Sequence, residues 1–384
     1  MAEWVMKKLK DIADFNPRES LAKGVVAKKL AMDKLQPFCR DIPGYELEPF
    51  SGGTKFRNGD TIMARITPCL ENGKTAKVAV LDDGEVGFGS TEYIVFRAKD
   101  GVDEDFIYYL VCSPLVREPA IKSMVGSSGR QRVQTDVVQN LEIMVPDYEE
   151  QKRISGLLKS LDDKIAANTE VNKNLFQQAQ ALYKDRFVDL RSFDGEMPSD
   201  WHLGTVSEII ELHDSKRIPL SSRKRANLAK IYPYYGATSV MDYVDRYLFD
   251  GIYLLLGEDG TVVDSKGFPI LQYVEGKFWV NNHAHIITGK SGFTVETLYL
   301  LFSLTNVQSI VTGAVQPKIS QANLNKVPVI IPSEAELSDF DSIVQPIFAQ
   351  IRNLRAENDR LSATRDTLLP RLMSGELDVS DLDL

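Results

Sequence analysis

The 384-residue chain has the composition of a globular protein and carries a net charge of −9. Its length predicts two or three domains, and its 43% hydrophobic share is enough for cores of ordinary size. The composition excludes a collagenous or disordered chain, and no apolar run approaches the ~20 residues of a membrane helix. The three cysteines lie far apart, as is typical of the reducing cytosol, so we expect a cytoplasmic protein.

The excess of acidic groups is concentrated at the end of the chain. Residues 333–384 hold 5 basic and 11 acidic groups, which is a net −6 of the total −9. The longer stretches before it are close to neutral and can present basic faces locally. The charge therefore neither excludes nor supports binding to nucleic acid.

The predicted elements alternate between globular stretches and long helices. We expect a globular domain at 1–148, a helix at 149–190, a second globular domain at 191–332, and a helix with an acidic tail at 333–384. Short apolar runs separated by glycine-rich turns predict a mixed α/β (α+β) fold for each globular domain. The predicted strands are 61–66, 75–80, 93–97, 251–256, 278–280 and 285–288, and the predicted short helices are 104–111 and 295–303.

The chain contains two copies of one pattern. A shift of 186 residues places 130–187 on 316–373 without a gap, so that RVQTDVVQNLEIMVP (132–146) meets KISQANLNKVPVIIP (318–332). Both copies predict a turn, a short amphipathic helix and an apolar strand that ends at proline. The copies begin at Trp4 and Trp201, and a further likeness joins PFSGGT (49–54) to PYYGAT (233–238). Such an internal repeat predicts two similar domains.

A long helix with one apolar stripe follows each copy. Steps of three, four and seven residues define a single helix face. The predicted seam comprises Ile154, Leu158, Leu161, Ile165, Asn172, Leu175, Leu182, Phe340, Val344, Ile347, Ile351, Asn358, Leu361 and Leu368. Each stripe either packs on its own domain or pairs with the other. We favour the second arrangement, an antiparallel coiled coil that relates the two domains by a pseudo-two-fold axis.

Polar residues and prolines interrupt these stripes. Asn172 and Asn358 lie near the seam, where a polar side chain sets the register at some cost in stability. Pro346 lies inside the second helix and Pro370 near its end. Because proline removes a backbone hydrogen bond and clashes with the preceding turn, we expect the second helix to be kinked or interrupted at Pro346 and kinked or ended near Pro370.

If the two unlike domains each bind DNA, a rigid helical spacer between them predicts recognition of two different short sequences a fixed distance apart. To face the same side of B-DNA, the two sites would lie about one helical turn, ~10 bp, apart. The bases between them would not be contacted. Two equivalent helices also offer two equivalent docking surfaces to a partner.

Clusters of basic and amide side chains are the candidates for DNA contact. Arg, Lys, Asn and Gln recognise base edges, and Lys and Arg contact phosphates. The predicted DNA-binding residues are Lys28, Lys29, Arg65, Lys74, Arg130, Arg132, Arg223, Lys224, Arg225, Gln316 and Lys318. The cluster GSSGRQR (126–132) and the segment QPK (316–318) fall at the same place in the repeat, and this agreement strengthens the prediction of DNA contact for both. A basic cluster can also be ordinary protein surface.

No motif predicts catalysis by this chain. NGKT (72–75) matches the tail of a P-loop, but Pro68 stands where that motif needs glycine, and no N/D-P-P-Y/F tetrapeptide of a methyltransferase occurs. His283 and His285 share a strand face and could begin a zinc site, yet no cysteine or third histidine is near in sequence. We expect no catalytic residue and no metal, and we interpret the acidic pairs 82–83 and 162–163 as solvated surface.

Several stretches, taken in order, resemble the specificity subunits of type I restriction-modification systems (HsdS). In the first half these are RITPCLENGKT (65–75), GFGSTEY (87–93) and VPDYEEQKRI (145–154). In the second half these are PYYGAT (233–238), YLLLGEDGT (253–261), GKFWVNNHAH (276–285) and RDTLLPRLMSGEL (365–377). The chain departs from the pattern after Pro332, where SEAE stands in place of the EQ-containing segment that follows Pro146.

The resemblance implies a DNA-binding, non-catalytic subunit with two target recognition domains and an antiparallel coiled coil. It implies two methyltransferase subunits docked on that coiled coil, and two ATP-driven restriction subunits as further partners. S-adenosylmethionine, ATP and magnesium would belong to those partners. From the residues alone two alternatives stay open: a single-chain DNA methyltransferase or nuclease, and a coiled-coil scaffold without a DNA role.

Overall fold

The computed structural model describes residues 4–313 and 315–379. The chain divides into a first unit, Met1–Thr169 with Arg355–Leu384, and a second unit, Glu170–Leu354. Each unit holds one globular domain and parts of both long helices, so the predicted domain boundaries at 148, 190 and 332 stay predictions. The last residues of the predicted acidic tail, 380–384, lie outside the described residues. None of the described helices is both long and apolar enough to cross a bilayer.

The first unit contains ten strands and the first five helices among its described residues. The strands are β1 (Val5–Lys8), β2 (Ala13–Phe15), β3 (Val26–Leu30), β4 (Glu46–Pro49), β5 (Thr54–Phe56), β6 (Thr61–Ala64), β7 (Thr75–Lys77), β8 (Gly87–Gly89), β9 (Tyr93–Ala98) and β10 (Glu142–Val145). The helices are α1 (Leu9–Ile12), α2 (Glu104–Cys112), α3 (Pro114–Lys122), α4 (Thr135–Gln139) and α5 (Tyr148–Tyr183), the last of which continues into the second unit.

The core of the first unit lies between an antiparallel sheet, ordered β2-β9-β6-β7, and helix α2. Helix α2 begins where Asp103 accepts a hydrogen bond from the Phe106 N–H (2.8 Å), which caps the helix. It buries Phe106 and Leu110 completely. A second sheet, β4-β3-β8-β5, and a ribbon of β1 with β10 complete the unit.

The second unit repeats this arrangement with longer strands. Its strands are β11 (His202–Thr205), β12 (Ile210–Leu212), β13 (Tyr232–Tyr235), β14 (Val240–Val244), β15 (Phe249–Gly257), β16 (Leu271–Val280), β17 (Ala284–Gly289) and β18 (Pro328–Ile331). Its helices are α6 (Val206–Ile209), α7 (Ser222–Arg225), α8 (Val295–Leu304), α9 (Gln321–Leu324) and α10 (Glu334–Met373), the last of which ends in the first unit. A π-helical turn, Lys184–Val188, and 3₁₀ turns at Arg191–Phe193, Asp214–Lys216 and Gln308–Ile310 connect them.

The strand pairing confirms the internal repeat. The order β12-β17-β15-β16 in the second unit matches β2-β9-β6-β7 in the first. The ribbons also match: Val5 pairs with Val145 in the first unit, and His202 pairs with Ile331 in the second, at the offsets that the sequence predicts. The mixed α/β class and the predicted strands and short helices are therefore confirmed, with differences only at their ends.

One sequence likeness does not correspond to structural equivalence. Pro49 ends β4, which is antiparallel to β3, whereas Pro233 lies in β13, which is parallel to β16. The strand that occupies this parallel position in the first unit is β3, which runs parallel to β8. PFSGGT and PYYGAT thus share turn-forming residues without sharing a place in the fold.

The two long helices are antiparallel within each unit. In the first unit the core contains Leu158 of α5 and Leu372 of α10. In the second unit the rings of Tyr183 and Phe340 are 5.7 Å apart, and those of Phe176 and Phe348 are 6.4 Å apart. Both sequence-based alternatives hold at once, because each stripe packs against the other helix and against the domain of its own unit.

Helix α10 is continuous through Pro346, so the predicted interruption there is wrong, and it ends at Met373, shortly after Pro370, as expected for that proline. A proline inside a helix costs roughly 3 kcal/mol. The flanking side chains Phe340, Val344 and Phe348 are completely or almost completely buried. Each such side chain contributes about 1.5–3 kcal/mol on burial, which offsets the lost hydrogen bond.

Candidate nucleic-acid interface and helix seam

In both units the central sheet positions three segments at one end. Strand β6 ends at Ala64, which pairs with Tyr93, the first residue of β9. In the same way β15 ends at Gly257, which pairs with Ala284, the first residue of β17. Just beyond, the Arg65 N–H donates to the Glu92 carbonyl (2.9 Å), and the Glu258 N–H donates to the His283 carbonyl (2.8 Å). The backbone geometry is therefore the same at these two places.

A third segment joins each site through the same backbone hydrogen bonds. The Val133 N–H donates to the Arg65 carbonyl (2.9 Å), and the Ile319 N–H donates to the Glu258 carbonyl (2.9 Å). One step further, the Thr67 N–H donates to Gln131 (3.0 Å) and the Gly260 N–H donates to Pro317 (3.0 Å). We call each set a platform: 65–67, 92 and 131–133 in the first unit, and 258–260, 283 and 317–319 in the second.

Each platform carries a loop that a β-bridge closes, and we call these the first tip loop (125–132) and the second tip loop (312–313 and 315–318). Val125 and Arg132 close the first with two backbone hydrogen bonds of 3.0 and 2.9 Å, and Thr312 and Lys318 close the second with bonds of 2.8 and 2.7 Å. A glycine at positive φ follows the first closing residue in each loop, Gly126 at 133° and Gly313 at 87°. Residues 125–130 are all exposed, and Val315 is 99% exposed.

The two platforms hold different side chains on the same backbone. In the first, Arg132 forms an ion pair with Glu92 at 2.7 Å, and the hydrogen bonds that it donates to the Glu92 carboxylate raise the pKa of Arg132. In the second, Lys318 lies 3.2 Å from Glu258, and His283 contacts Asp259. One scaffold therefore presents two chemically different surfaces.

A buried polar network supports the second platform. The Asp214 carboxylate accepts hydrogen bonds from the Ile286 N–H (2.9 Å) and the Gln321 amide (2.6 Å), and it contacts the His285 ring (2.6 Å). Burial raises the pKa of Asp214, but the hydrogen bonds, led by that of His285, outweigh burial and lower it below its usual value. The other ring nitrogen of His285 lies 2.8 Å from the Ile319 carbonyl, which connects the network to the second tip loop.

Three members of this network could hold a metal ion in principle. Ligand atoms of Asp214, Glu258 and His285 lie within 4.8 Å of one another. The carboxylates are nevertheless matched by cations of the chain, because Arg217 lies 2.6 Å from Glu258 and Lys318 lies 3.2 Å from it. We therefore interpret the cluster as an ion-pair network. Sequence reasoning missed it since its members are far apart in the chain.

Several predicted DNA-binding residues are engaged inside the protein. Lys28 is buried between Asp82 and Glu85 at 3.0 Å from each. Lys29 pairs with Glu48 at 2.9 Å, and Lys74 donates to the Met32 carbonyl at 2.8 Å. Arg65 is half-buried and donates to Val133 at 3.3 Å. Their internal partners give these four cations structural roles, and their contact with DNA stays a prediction.

The basic cluster 223–225 divides into two parts. Arg223 and Lys224 are exposed, and neither side chain has a hydrogen-bond or ion-pair partner within 4–313 and 315–379. Arg225 is buried: it pairs with Asp242 at 2.9 Å and lies over the Tyr234 ring at 4.7 Å. Arg225 therefore holds α7 against the sheet, and only its two neighbours are free to contact a ligand.

Replacing Asp242 by asparagine should remove stability that depends on pH. Burial raises the pKa of Asp242, but hydrogen bonds from Lys230, Arg225 and the Tyr243 N–H lower it to about 2. Because this value lies below the ordinary 3.8, the carboxylate stabilises the fold fully above pH ~4 and loses that effect as the pH falls towards 2. The difference in urea midpoint between wild type and D242N should shrink over this range. An equal difference at pH 2.5 and pH 7 would contradict the prediction.

Most predicted seam residues of α5 and α10 are buried or half-buried. Those in the first unit are Ile154, Leu158, Leu161, Ile165, Asn358, Leu361 and Leu368, and those in the second are Asn172, Leu175, Phe340, Val344, Ile347 and Ile351. Leu182 is 41% exposed, which corrects its prediction: Ala179, Tyr183 and Phe187 are buried on this side of the helix instead. Residues 176, 179, 183 and 187 follow one another in steps of three and four, so they share one helix face, and residue 182 lies outside that face.

Polar contacts join the helices as well as apolar ones. In the first unit Asn168 donates to Asn358 at 2.9 Å, while Asn358 donates to the Ile165 carbonyl at 3.3 Å. Asn172, the repeat equivalent of Asn358, lies one turn beyond Asn168, and its buried side-chain oxygen accepts no hydrogen bond from the described part of the chain. Asp162 and Arg365 form a buried pair at 2.7 Å, which overturns the interpretation of 162 as solvated.

Comparison with known proteins assigns the family. The model of the type I restriction modification DNA specificity domain matches residues 1–177 and 198–361. The chain belongs to the type I restriction-modification specificity family. The two matches fall on the two repeats, so this specificity subunit has one family domain in each half of its chain.

Relatives of this specificity subunit match most of its length. The MjaIX specificity subunit of Methanocaldococcus jannaschii is 26% identical over 313 residues, which cover 74% of this chain and 71% of that protein. The HindI specificity subunit of Haemophilus influenzae is 22% identical and covers 88% of this chain and 89% of its own. A crystal structure of the S subunit from M. genitalium has a TM-score of 0.50 at 18% identity, and covers 99% of this chain and 97% of its own. That structural likeness supports the fold.

Proposed function

We propose that this specificity subunit recognises a bipartite, asymmetric DNA site with a fixed, non-specific spacer. One observation carries the proposal: two platforms with the same backbone hydrogen bonds present tip loops with different side chains. Equivalent backbones would approach DNA in the same way, while different side chains would select different bases. The two half-sites would therefore differ in sequence.

The tip loops have the shape and chemistry that DNA contact requires. The major groove, ~12 Å wide, admits a two-stranded hairpin, and its base edges carry a distinct pattern of donors and acceptors for each pair. The first tip loop carries Arg130 and Arg132, and the second carries Gln316 and Lys318. The exposed Arg223 and Lys224 of the second unit suit contact with phosphates, which favour Lys and Arg.

The helix pair is proposed as the docking surface for two methyltransferase subunits and as the spacer between the half-sites. Its seam faces inward, while the apolar side chains of Leu182 and Ile343 are exposed. Two restriction subunits would join the same complex. S-adenosylmethionine, ATP and magnesium are proposed to bind those partners, and this chain is proposed to be non-catalytic, since its sequence carries no methyltransferase tetrapeptide and no complete P-loop.

Removing charge from the two units should weaken different halves of the footprint. The double variant R130A/R132A should reduce protection of one half-site, and R223A/K224A should reduce protection of the other, because the two pairs belong to different units. Each lost phosphate contact should lower the slope of log K against log salt by about 0.9. Footprinting and a salt titration of the complex reconstituted with its methyltransferase subunits measure both effects.

The matched control removes two lysines at the opposite end of the central sheets. Lys99 follows β9 and Lys290 follows β17, at the strand ends away from Tyr93 and Ala284. K99A/K290A should leave both half-sites protected. The half-site assignment is wrong if R130A/R132A and R223A/K224A weaken protection of the same half-site. The proposed function is wrong if the wild-type complex binds no DNA sequence in preference to others.

A further inference from the structure

Arg130 and Gln316 occupy equivalent positions in the two tip loops. Each lies two residues before the closing cation, Arg132 or Lys318, and the closing cations are aligned by equivalent bridges to Ile66 and Asp259. Both side chains are exposed. Neither has a hydrogen-bond or ion-pair partner in the described parts of the chain. Their guanidinium and amide groups are therefore available to another molecule.

The closing cations Arg132 and Lys318, by contrast, form ion pairs within the protein. Arg132 is held by three hydrogen bonds of 2.7–3.0 Å to the Glu92 carboxylate. Lys318 is held by Glu258. These ion pairs orient the base of each loop. The side chains two residues earlier, Arg130 and Gln316, can therefore contact a bound molecule.

The two free side chains match different bases. An arginine guanidinium donates two hydrogen bonds to the O6 and N7 acceptors of guanine, whereas a glutamine amide both donates to N7 and accepts from the N6 amino group of adenine. We propose that Arg130 selects a guanine in the first half-site and that Gln316 selects an adenine in the second. This assignment rests on the DNA recognition proposed above and names the residues that determine its specificity.

A further feature of the second tip loop fits an A·T pair. Val315, next to Gln316, is 99% exposed, and its equivalent in the first tip loop is Gly129 at a φ of 77°. An A·T pair presents a thymine methyl group in the major groove, and a small apolar side chain can contact it. A G·C pair has no such methyl group, which agrees with the glycine beside Arg130.

Reciprocal substitution tests the assignment in the intact complex. The chain would be reconstituted with its methyltransferase subunits as wild type, R130Q, Q316R and the double swap, and each complex would methylate a pool of DNA with randomised sites. R130Q should change the preference at one position of one half-site from guanine to adenine, and Q316R should make the opposite change in the other half-site. A bidentate contact discriminates by ~1–3 kcal/mol, which corresponds to a change of roughly 5- to 150-fold in relative methylation.

The outcomes separate the assignment from the function on which it depends. R130A should lose discrimination at the same single position while keeping the rest of the site, which supports base contact without relying on the swap. Uniform weakening of all sequences by R130Q or R130A, with unchanged base preferences, would identify a phosphate contact and overturn the assignment. Unchanged preferences in both swapped complexes would overturn it too, while sequence-specific methylation by the wild type would leave the proposed function intact. A wild-type complex without any preference would instead refute the proposed function.

Discussion

Replacing Asp162 by alanine should lower the free energy of unfolding by about 1–3 kcal/mol, because buried donors of Arg365 and Tyr109 lose their acceptor while Arg365 keeps its ion pair with Asp366 at 2.8 Å. One oxygen of Asp162 accepts a hydrogen bond from Arg365 (2.7 Å), and the other accepts one from the Tyr109 hydroxyl (2.7 Å). Asp162 belongs to α5, Arg365 to α10 and Tyr109 to α2, so one carboxylate joins three helices of the first unit. Burial raises the pKa of Tyr109 and keeps its hydroxyl protonated as a donor.

Urea unfolding of D162A, followed by far-UV circular dichroism, measures this loss. The matched control is E170A, because Glu170 lies on the same helix but is well exposed and forms a salt bridge with Lys173. An exposed pair of this kind contributes about 0.3–0.5 kcal/mol. The double variant D162A/R365M should recover part of the lost stability, since it also removes the guanidinium that has lost its buried acceptor. A D162A effect as small as that of E170A would show that the buried pair does not hold the helices.

Replacing Asp214 by alanine should destabilise the second unit by about 3–5 kcal/mol, because three buried polar groups lose their acceptor, and should abolish recognition of one half-site. The substitution leaves the Ile286 N–H, the Gln321 amide and the buried His285 ring without their acceptor. It also removes one of the two carboxylates beside Arg217, which lies 3.4 Å from Asp214. Since His285 contacts the Ile319 carbonyl, the second tip loop should lose its support.

Two readouts distinguish this effect from general unfolding. The variant should lose protection of the half-site assigned to the second unit while keeping the other half, because the network lies wholly within Glu170–Leu354. The control D250A removes an exposed carboxylate of β15 and should change stability by no more than about 0.5 kcal/mol. Equal weakening of both half-sites by D214A would contradict a role confined to the second platform.

The common backbone of the platforms separates fold from specificity. Hydrogen bonds between main-chain groups hold each tip loop, so they do not depend on which side chains the loop carries. The ion pairs Arg132–Glu92 and Lys318–Glu258 differ between the units, yet they close loops in the same position. The side chains that each tip loop presents can therefore be substituted without rebuilding the sheet.

Much of the architecture could be predicted from sequence because it is periodic. Apolar spacing in α5 and α10 predicted two long helices with buried stripes, and the offset of 186 residues predicted that 132 and 318 are equivalent. The structure confirms both, since burial of an apolar face is the largest favourable contribution to folding and leaves a regular pattern in the chain. The same regularity identified the tip loops before their geometry was known.

The polar contacts were decided only by the tertiary structure. Asp162 lies in a polar stretch of sequence that is typical of a protein surface, but it is buried against Arg365. Arg225 follows two exposed basic residues, but it is itself buried against Asp242. His285 and Asp214 are likewise distant in the chain and adjacent in space. A hydrogen bond or ion pair depends on the distance and direction between single atoms, and partners that are far apart along the chain leave no repeating pattern for sequence to show.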